Sequence, residues 1–135
     1  MKVLDYLYRY AEIKKTISGL VARIAIEEQL AWRHDEPDLK KEALKMAEEL
    51  KREAIALKEE QEEMEKTIWA MPADRARVLR LHYFDGEDLK TIARDIHRKI
   101  EFVEGLHDEG LRNLQRILDM RENPKTEEAF ASKRK

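Results

Sequence analysis

Two stretches of this chain, each about thirty residues long, space their apolar residues three and four positions apart in alternation. That spacing commits both stretches to helices with a continuous seam for another helix. The first runs from about Val3 to Arg33, with its seam at Val3, Tyr6, Tyr10, Ile13, Ile17, Leu20 and Ile24. Leu7 and Val21 widen the stripe, and Glu27 takes the next seam position, so the seam weakens before Trp32. The second runs from about Pro37 to Ala70. Its seam is Ala43, Ala47, Leu50, Ala54, Leu57, Gln61, Met64 and Ile68, continuing to Met71, with Gln61 as its one polar member. The alanines allow close approach of two backbones. The outer faces are dense in charge, as in Lys58-Glu59-Glu60 and Glu62-Glu63, which suits solvated helix surfaces.

The break between the stretches is His34-Asp35-Glu36-Pro37-Asp38. Proline cannot sit inside a helix but fits its first turn, so Pro37 opens the second helix. Asp35 is the expected N-cap, and Asp38 adds negative charge where the helix dipole favours it. Matched lengths of roughly 45 Å at ~1.5 Å per residue, joined by a short connection, predict an antiparallel coiled-coil hairpin over 1–70. Trp69 should then return towards Tyr6 and Tyr10. Two helices alone bury little apolar surface, so the hairpin should pack on the C-terminal part, on a second copy, or on both. The same seams serve pairing within and between chains, and a homodimer is the expected assembly.

The rest of the composition narrows the class. Charged residues make up 41% of the 135 and hydrophobic ones 42%, with only four glycines and three prolines, which is the composition of long solvated helices. No strand-like alternation appears, so the fold class is all-α. The formal net charge is -2, so any affinity for nucleic acid must come from a local patch. There is no cysteine, which excludes disulfides and thiolate chemistry and fits a reducing compartment. Asp5 and Arg9 interrupt any signal-like apolar run, and no stretch approaches the ~20 apolar residues of a membrane span. The expected location is the cytoplasm, with no membrane partner.

Residues 71–120 form the second predicted domain. Pro72 opens a helix carrying Val78, Leu79, Leu81, His82, Tyr83 and Phe84, and Asp85-Gly86 stops it, with glycine suited to a left-handed C-terminal position. Asp88 is placed to cap a helix from Leu89 to Ile96. A turn at His97-Arg98 leads to a last helix from Lys99 to about Met120, and Asn123-Pro124 ends the regular structure. Residues 121–135 are expected to be a flexible basic tail. The stretch from Leu89 to Asp108 fits a helix-turn-helix, with Ala93 as the small residue at the crossing and Ile92, Ile96, Val103 and Leu106 as apolar contacts. His97 stands where a glycine usually makes the turn, and Arg98 where an apolar residue is usual.

The longer run Met71-Pro-Ala-Asp-Arg-Ala-Arg-Val-Leu-Arg-Leu-His-Tyr-Phe-Asp-Gly-Glu-Asp-Leu-Lys-Thr-Ile-Ala93 resembles the region 4 domain of bacterial sigma factors. The shared features are the proline-opened helix, the Val-Leu-x-Leu-x-Tyr-Phe run, the glycine turn and Leu-x-x-Ile-Ala. With Val103-x-x-Leu106-His-Asp-Glu-x-Leu111 and a helical hairpin before it, the chain looks like small phage and prophage regulators of the ArpU/RinA late-operon activator type. The resemblance covers roughly Met71 to Leu118. It implies a transcription regulator whose helix-turn-helix touches duplex DNA; RNA polymerase or another regulator is the partner expected for the acidic face described next.

The residues themselves divide by charge. Lys90, Arg94, Arg98 and Lys99 surround the entrance to the last helix and are the candidate phosphate contacts, helped by the helix N-terminus. In a major groove the side chains of Lys99, Ile100, Glu101, Glu104, Gly105 and Asp108 would face the bases. That face is acidic and partly apolar, whereas base readout favours Arg, Lys, Asn and Gln. Ile100, Glu101, Glu104 and Asp108 are therefore candidate partner-binding residues in a second reading, a protein-interaction module with a degenerate helix-turn-helix. A purely structural coiled-coil protein is a third. Phe102 is expected to pack rather than to meet a base. His34, His82, His97 and His107 form no metal-ligand spacing, and the neighbours His107-Asp108-Glu109 should point in different directions on a helix. No phosphate loop or nucleophile elbow is present, so neither an enzyme nor a cofactor is expected.

Overall fold

A computed structural model describes residues 1–122. The expected basic tail, apart from its first two residues, lies outside them. Among the described residues there are five α-helices and no strand: α1 (Val3–Arg33), α2 (Pro37–Trp69), α3 (Ala73–Leu79), α4 (Leu89–Asp95) and α5 (Ile100–Glu122). A π-helical turn, Arg80–Phe84, continues α3. No helix among them is long and apolar enough to cross a membrane. The chain is all-α, as its periodicity predicts.

The start of α2 differs by one residue from expectation. The amide of Lys40 donates to the carbonyl of Glu36, so Glu36 holds the N-cap position and Asp35 stands outside the helix. Pro37 at the first helical position leaves no room for the helix to begin earlier, because the residue before proline is pushed out of helical geometry.

By contacts the chain forms two compact units. One is 12–63, and the other joins 1–11 with 64–122. In the first unit α1 and α2 run side by side in opposite directions, as two pairs show. Lys51 bridges to Glu28 at 2.7 Å, and the Lys40 ammonium lies 4.9 Å from the Trp32 ring. The buried line follows the predicted seams through Ile13, Leu20, Ala43, Ala47 and Leu50, and Ala31, beyond the predicted end of the first seam, is buried as well. Val21, expected to widen the stripe, is exposed instead. It stands off the seam by about a quarter turn, beyond the reach of a single neighbouring helix.

The second unit gathers the beginning of α1, the end of α2 and helices α3 to α5. Its core includes Leu7, Met64, Ile68, Ala76, Leu79, Ile92, Val103 and Leu114. A helix start leaves amide donors without partners, and here α5 supplies one. Gln115 accepts from the Val3 amide at 2.8 Å and donates to the Met1 carbonyl at 3.0 Å, while the N-terminal ammonium pairs with Glu122. The end of α2 is tied in by Glu65, which accepts from the Tyr10 hydroxyl and from Arg80 Nη2, the latter at 3.2 Å. Arg80 also lies 5.2 Å from the Trp69 ring, and Tyr10 stacks on Phe84 at 3.7 Å between centroids. Burial, then the Glu65 carboxylate, pushes the Tyr10 hydroxyl well above its ordinary pKa.

The π turn is the main departure from the sequence reading, which ran one regular helix to Phe84. Its signature is the Asp85 amide donating to Arg80, five residues back, at 3.2 Å. The chain then reverses at Gly86, whose φ of +71° is strained for any residue with a Cβ. An extra residue in one turn rotates every later side chain round the helix axis. Within that turn Arg80 and Phe84 reach Glu65 and Tyr10, while Tyr83 turns to α5.

Candidate nucleic-acid interface

α4 begins at Asp88, whose carboxylate accepts from the Thr91 amide at 2.7 Å, as predicted for an N-cap. That bond holds the Asp88 carboxyl below the ordinary aspartate pKa. α4 ends in a two-bond C-terminal lock. The Arg98 amide donates to Ala93 at 3.0 Å and the His97 amide to Arg94 at 3.2 Å, with His97 in the left-handed region at φ +57°. This is the Schellman arrangement, usually built on glycine. The sequence flagged His97 as standing in a glycine position, and its backbone behaves as that position requires.

A left-handed backbone costs an L residue roughly 1–2 kcal/mol, which glycine avoids. The His97→Gly variant is therefore expected to be more stable by about 1 kcal/mol. The midpoint of urea unfolding, with the slope unchanged, checks this.

α4 and α5 cross over a small apolar cluster of Val78, Ile92, Ala93 and Val103, with Leu81, Leu89, Ile96, Ile100 and Leu106 packed around it. Ala93 and Ile92 are buried, as a crossing of two helices needs. Lys90, Arg94, Arg98 and Lys99 are all exposed, the first two on α4 and the last two in the turn before α5. The Arg98 guanidinium lies over the ring of Phe102, 5.3 Å from its centroid. Phe102 is thus half exposed under an arginine and not packed away. Of the four residues on the predicted partner face, Glu101, Glu104 and Asp108 are exposed. Ile100 is half-buried against the apolar cluster, so the outward surface is more acidic than the sequence suggested.

One constellation escaped the sequence reading. Tyr83 and His107 Nε2 are 2.8 Å apart, and His107 Nδ1 is 3.0 Å from an Asp108 carboxylate oxygen. Adjacent residues on α5 were expected to diverge, but the imidazole bends back far enough to donate to its neighbour. In the tautomer that donates from Nδ1 to the carboxylate, His107 accepts a hydrogen bond from the Tyr83 hydroxyl at Nε2. Tyr8 and His82 pack edge-on against Tyr83, at 6.4 and 4.7 Å between centroids. Burial, with Tyr8 and Asp108 nearby, raises the Tyr83 pKa, which keeps the phenol protonated as a donor and does not activate it as a nucleophile. The sequence places His107 beside Asp108 but gives no sign of Tyr83, which is 24 residues away along the chain. Among the described residues no group of three or more His, Asp or Glu is arranged to hold a metal ion.

Compared with known proteins, the chain matches no family model, no curated protein and no solved structure.

Proposed function

We propose that the chain is a phage-type transcription regulator of the cytoplasm, with α4 and α5 as a helix-turn-helix that contacts duplex DNA. The observation that carries this reading is the left-handed turn at His97, set between buried Ala93 and buried Val103, with exposed Arg98 and Lys99 following it directly and exposed Lys90 and Arg94 on α4. In such a motif the turn fixes the angle at which the second helix meets a groove, and cations at its entrance hold phosphates. Arg98 stacked on Phe102 presents a pre-oriented guanidinium, which lowers the entropy lost on contact. The test is a fluorescence-anisotropy titration with random duplex DNA at low and then moderate salt. Binding that weakens steeply with salt supports the reading, and no binding at low salt sinks it.

The exposed carboxylates Glu101, Glu104 and Asp108 favour a second reading, a protein-interaction module acting on RNA polymerase or another regulator. Carboxylates repel phosphates but suit a basic protein surface. A duplex titration without binding, together with saturable binding to a purified polymerase subunit, would select it.

The two-helix unit supplies dimerisation in either reading. Val21, Ile26, Trp32, Leu44 and Ile55 are exposed apolar side chains on a surface otherwise dense in charge, available to a second copy. Sedimentation is expected to give a dimer, and Val21→Glu with Ile55→Glu to shift it towards monomer. A parent protein that stays monomeric at high concentration contradicts this assembly.

A further inference from the structure

We infer that the second unit holds a binding site for a small monoanion with an apolar body, a carboxylate on a single aromatic ring or a short branched chain. The site is a half-open cavity of about 250 Å³ between α3, α4 and the start of α5. Val78, Leu81, Ile92, Ile96 and Leu106 form an apolar floor. Asp74, Arg77, Arg98 and Phe102 form the rim.

Volume and charge choose the occupant. A dry apolar cavity of ~150 Å³ takes up benzene, so this one has room for a ring with one or two small substituents. It is too small for a nucleotide or a lipid chain of ordinary length. The rim carries two guanidinium groups against one carboxylate, a surplus of one positive charge. Asp74 is already engaged, accepting from the Arg75 amide at 2.8 Å. Neither Arg77 nor Arg98 is paired with a carboxylate among the described residues. A ligand carboxylate can take a charge-assisted, two-bond contact from either guanidinium while its apolar body covers Ile92 and Ile96. Phe102, half exposed at the mouth, offers a ring face to an aromatic ligand.

The consequence for DNA rests on the proposed function: Arg98 would serve both the ligand and a phosphate, so the two would compete. Ligand binding itself does not depend on that reading.

The experiment titrates 4-ethylbenzoate, without DNA, into the full chain labelled for amide NMR. The neutral 4-ethylbenzamide is the control. The expected result is saturable shifts centred on Val78, Leu81, Ile96 and Leu106, with a Kd on the order of 0.1–1 mM for so small a ligand. The amide should bind about tenfold more weakly, and so should the acid to the Arg77→Gln and Arg98→Gln variants, for loss of one charge-assisted contact. Ile96→Phe, which fills the cavity and keeps the charges, should abolish the shifts while amide dispersion shows the chain still folded. No saturable shift at those residues up to about 10 mM, on a scale set by fragment affinities, overturns the site. Equal binding of acid and amide overturns the anionic class. Shifts that survive in Ile96→Phe with intact dispersion place the ligand elsewhere and also overturn it.

Discussion

Arg98→Glu combined with Lys99→Glu is expected to abolish binding to duplex DNA while leaving the fold intact. Both side chains are exposed, and neither contributes to the buried cluster of α4 and α5. Four cations on α4 and in the turn before α5, if all meet phosphates, give a slope of about -3 to -4 in log K against log salt for one copy. Reversing two removes about half of that slope and sets two carboxylates against the phosphates. The loss at low salt is then roughly 100-fold or more, since each lost contact is worth about 1–2 kcal/mol under those conditions. Lys90→Ala and Arg94→Ala should each weaken binding by less and lower the slope by about one. The acidic face gives the opposite sign: Glu101→Gln with Glu104→Gln should tighten DNA binding several-fold by removing repulsion. If the charge reversal leaves binding and slope unchanged, the four residues are not the interface. If the glutamine variant has no effect on DNA but weakens binding to a polymerase subunit, the acidic face belongs to a protein partner.

The parts of this molecule that were legible in the sequence are those set by local rules. The seams of α1 and α2 follow from apolar spacing alone, and their buried residues lie where that spacing puts them, from Tyr6 to Ile13 and from Ala43 to Ile68. The Asp88 cap and the left-handed Gly86 follow from side-chain chemistry within four residues. The left-handed His97 was legible as an anomaly, a histidine in a glycine's place. What was not legible depends on long-range packing. The π turn at Arg80–Phe84 has no sequence mark, since Arg-Leu-His-Tyr-Phe is a fair α-helical run. It is held by Glu65 and Tyr10 on one side and by His107 on the other, residues 15 to 74 positions away. The cavity under Phe102 is equally silent, because Phe102 reads as a core residue until Arg98 is seen above it. The same limit explains the units. A boundary near residue 70 follows from Met71-Pro72, but the ends of α1 and α2 make their contacts with the C-terminal helices, and their seams do not reveal that.

Two glycines of α5 should respond to substitution with opposite signs, and the contrast tests how closely α3 and α5 approach. These two helices are packed against each other. Gly110 is buried where they cross. A Cβ built there meets Leu79 Cγ at 3.1 Å and Cδ1 at 3.2 Å, and Arg75 Cβ at 3.5 Å. Leu79 is itself fully buried, so it has little space to withdraw into. Gly110→Ala sets a helix-propensity gain of about 1 kcal/mol against this crowding and should come out near neutral or slightly destabilising. Gly110→Leu adds three more carbons to a closed contact and should cost about 3 kcal/mol, enough to threaten a domain of ordinary stability. Gly105 differs in one respect: nothing lies within 4 Å of its added Cβ. Gly105→Ala should therefore raise stability by up to about 1 kcal/mol, through propensity alone. Urea unfolding of the three variants reads all of these. A rescue checks the cause: Leu79→Ala in the Gly110→Leu background should recover part of the loss, because it vacates the space that the larger side chain at position 110 needs. Full additivity of the two losses would mean that Leu79 and position 110 do not share a contact, and that α3 and α5 are held apart by other residues.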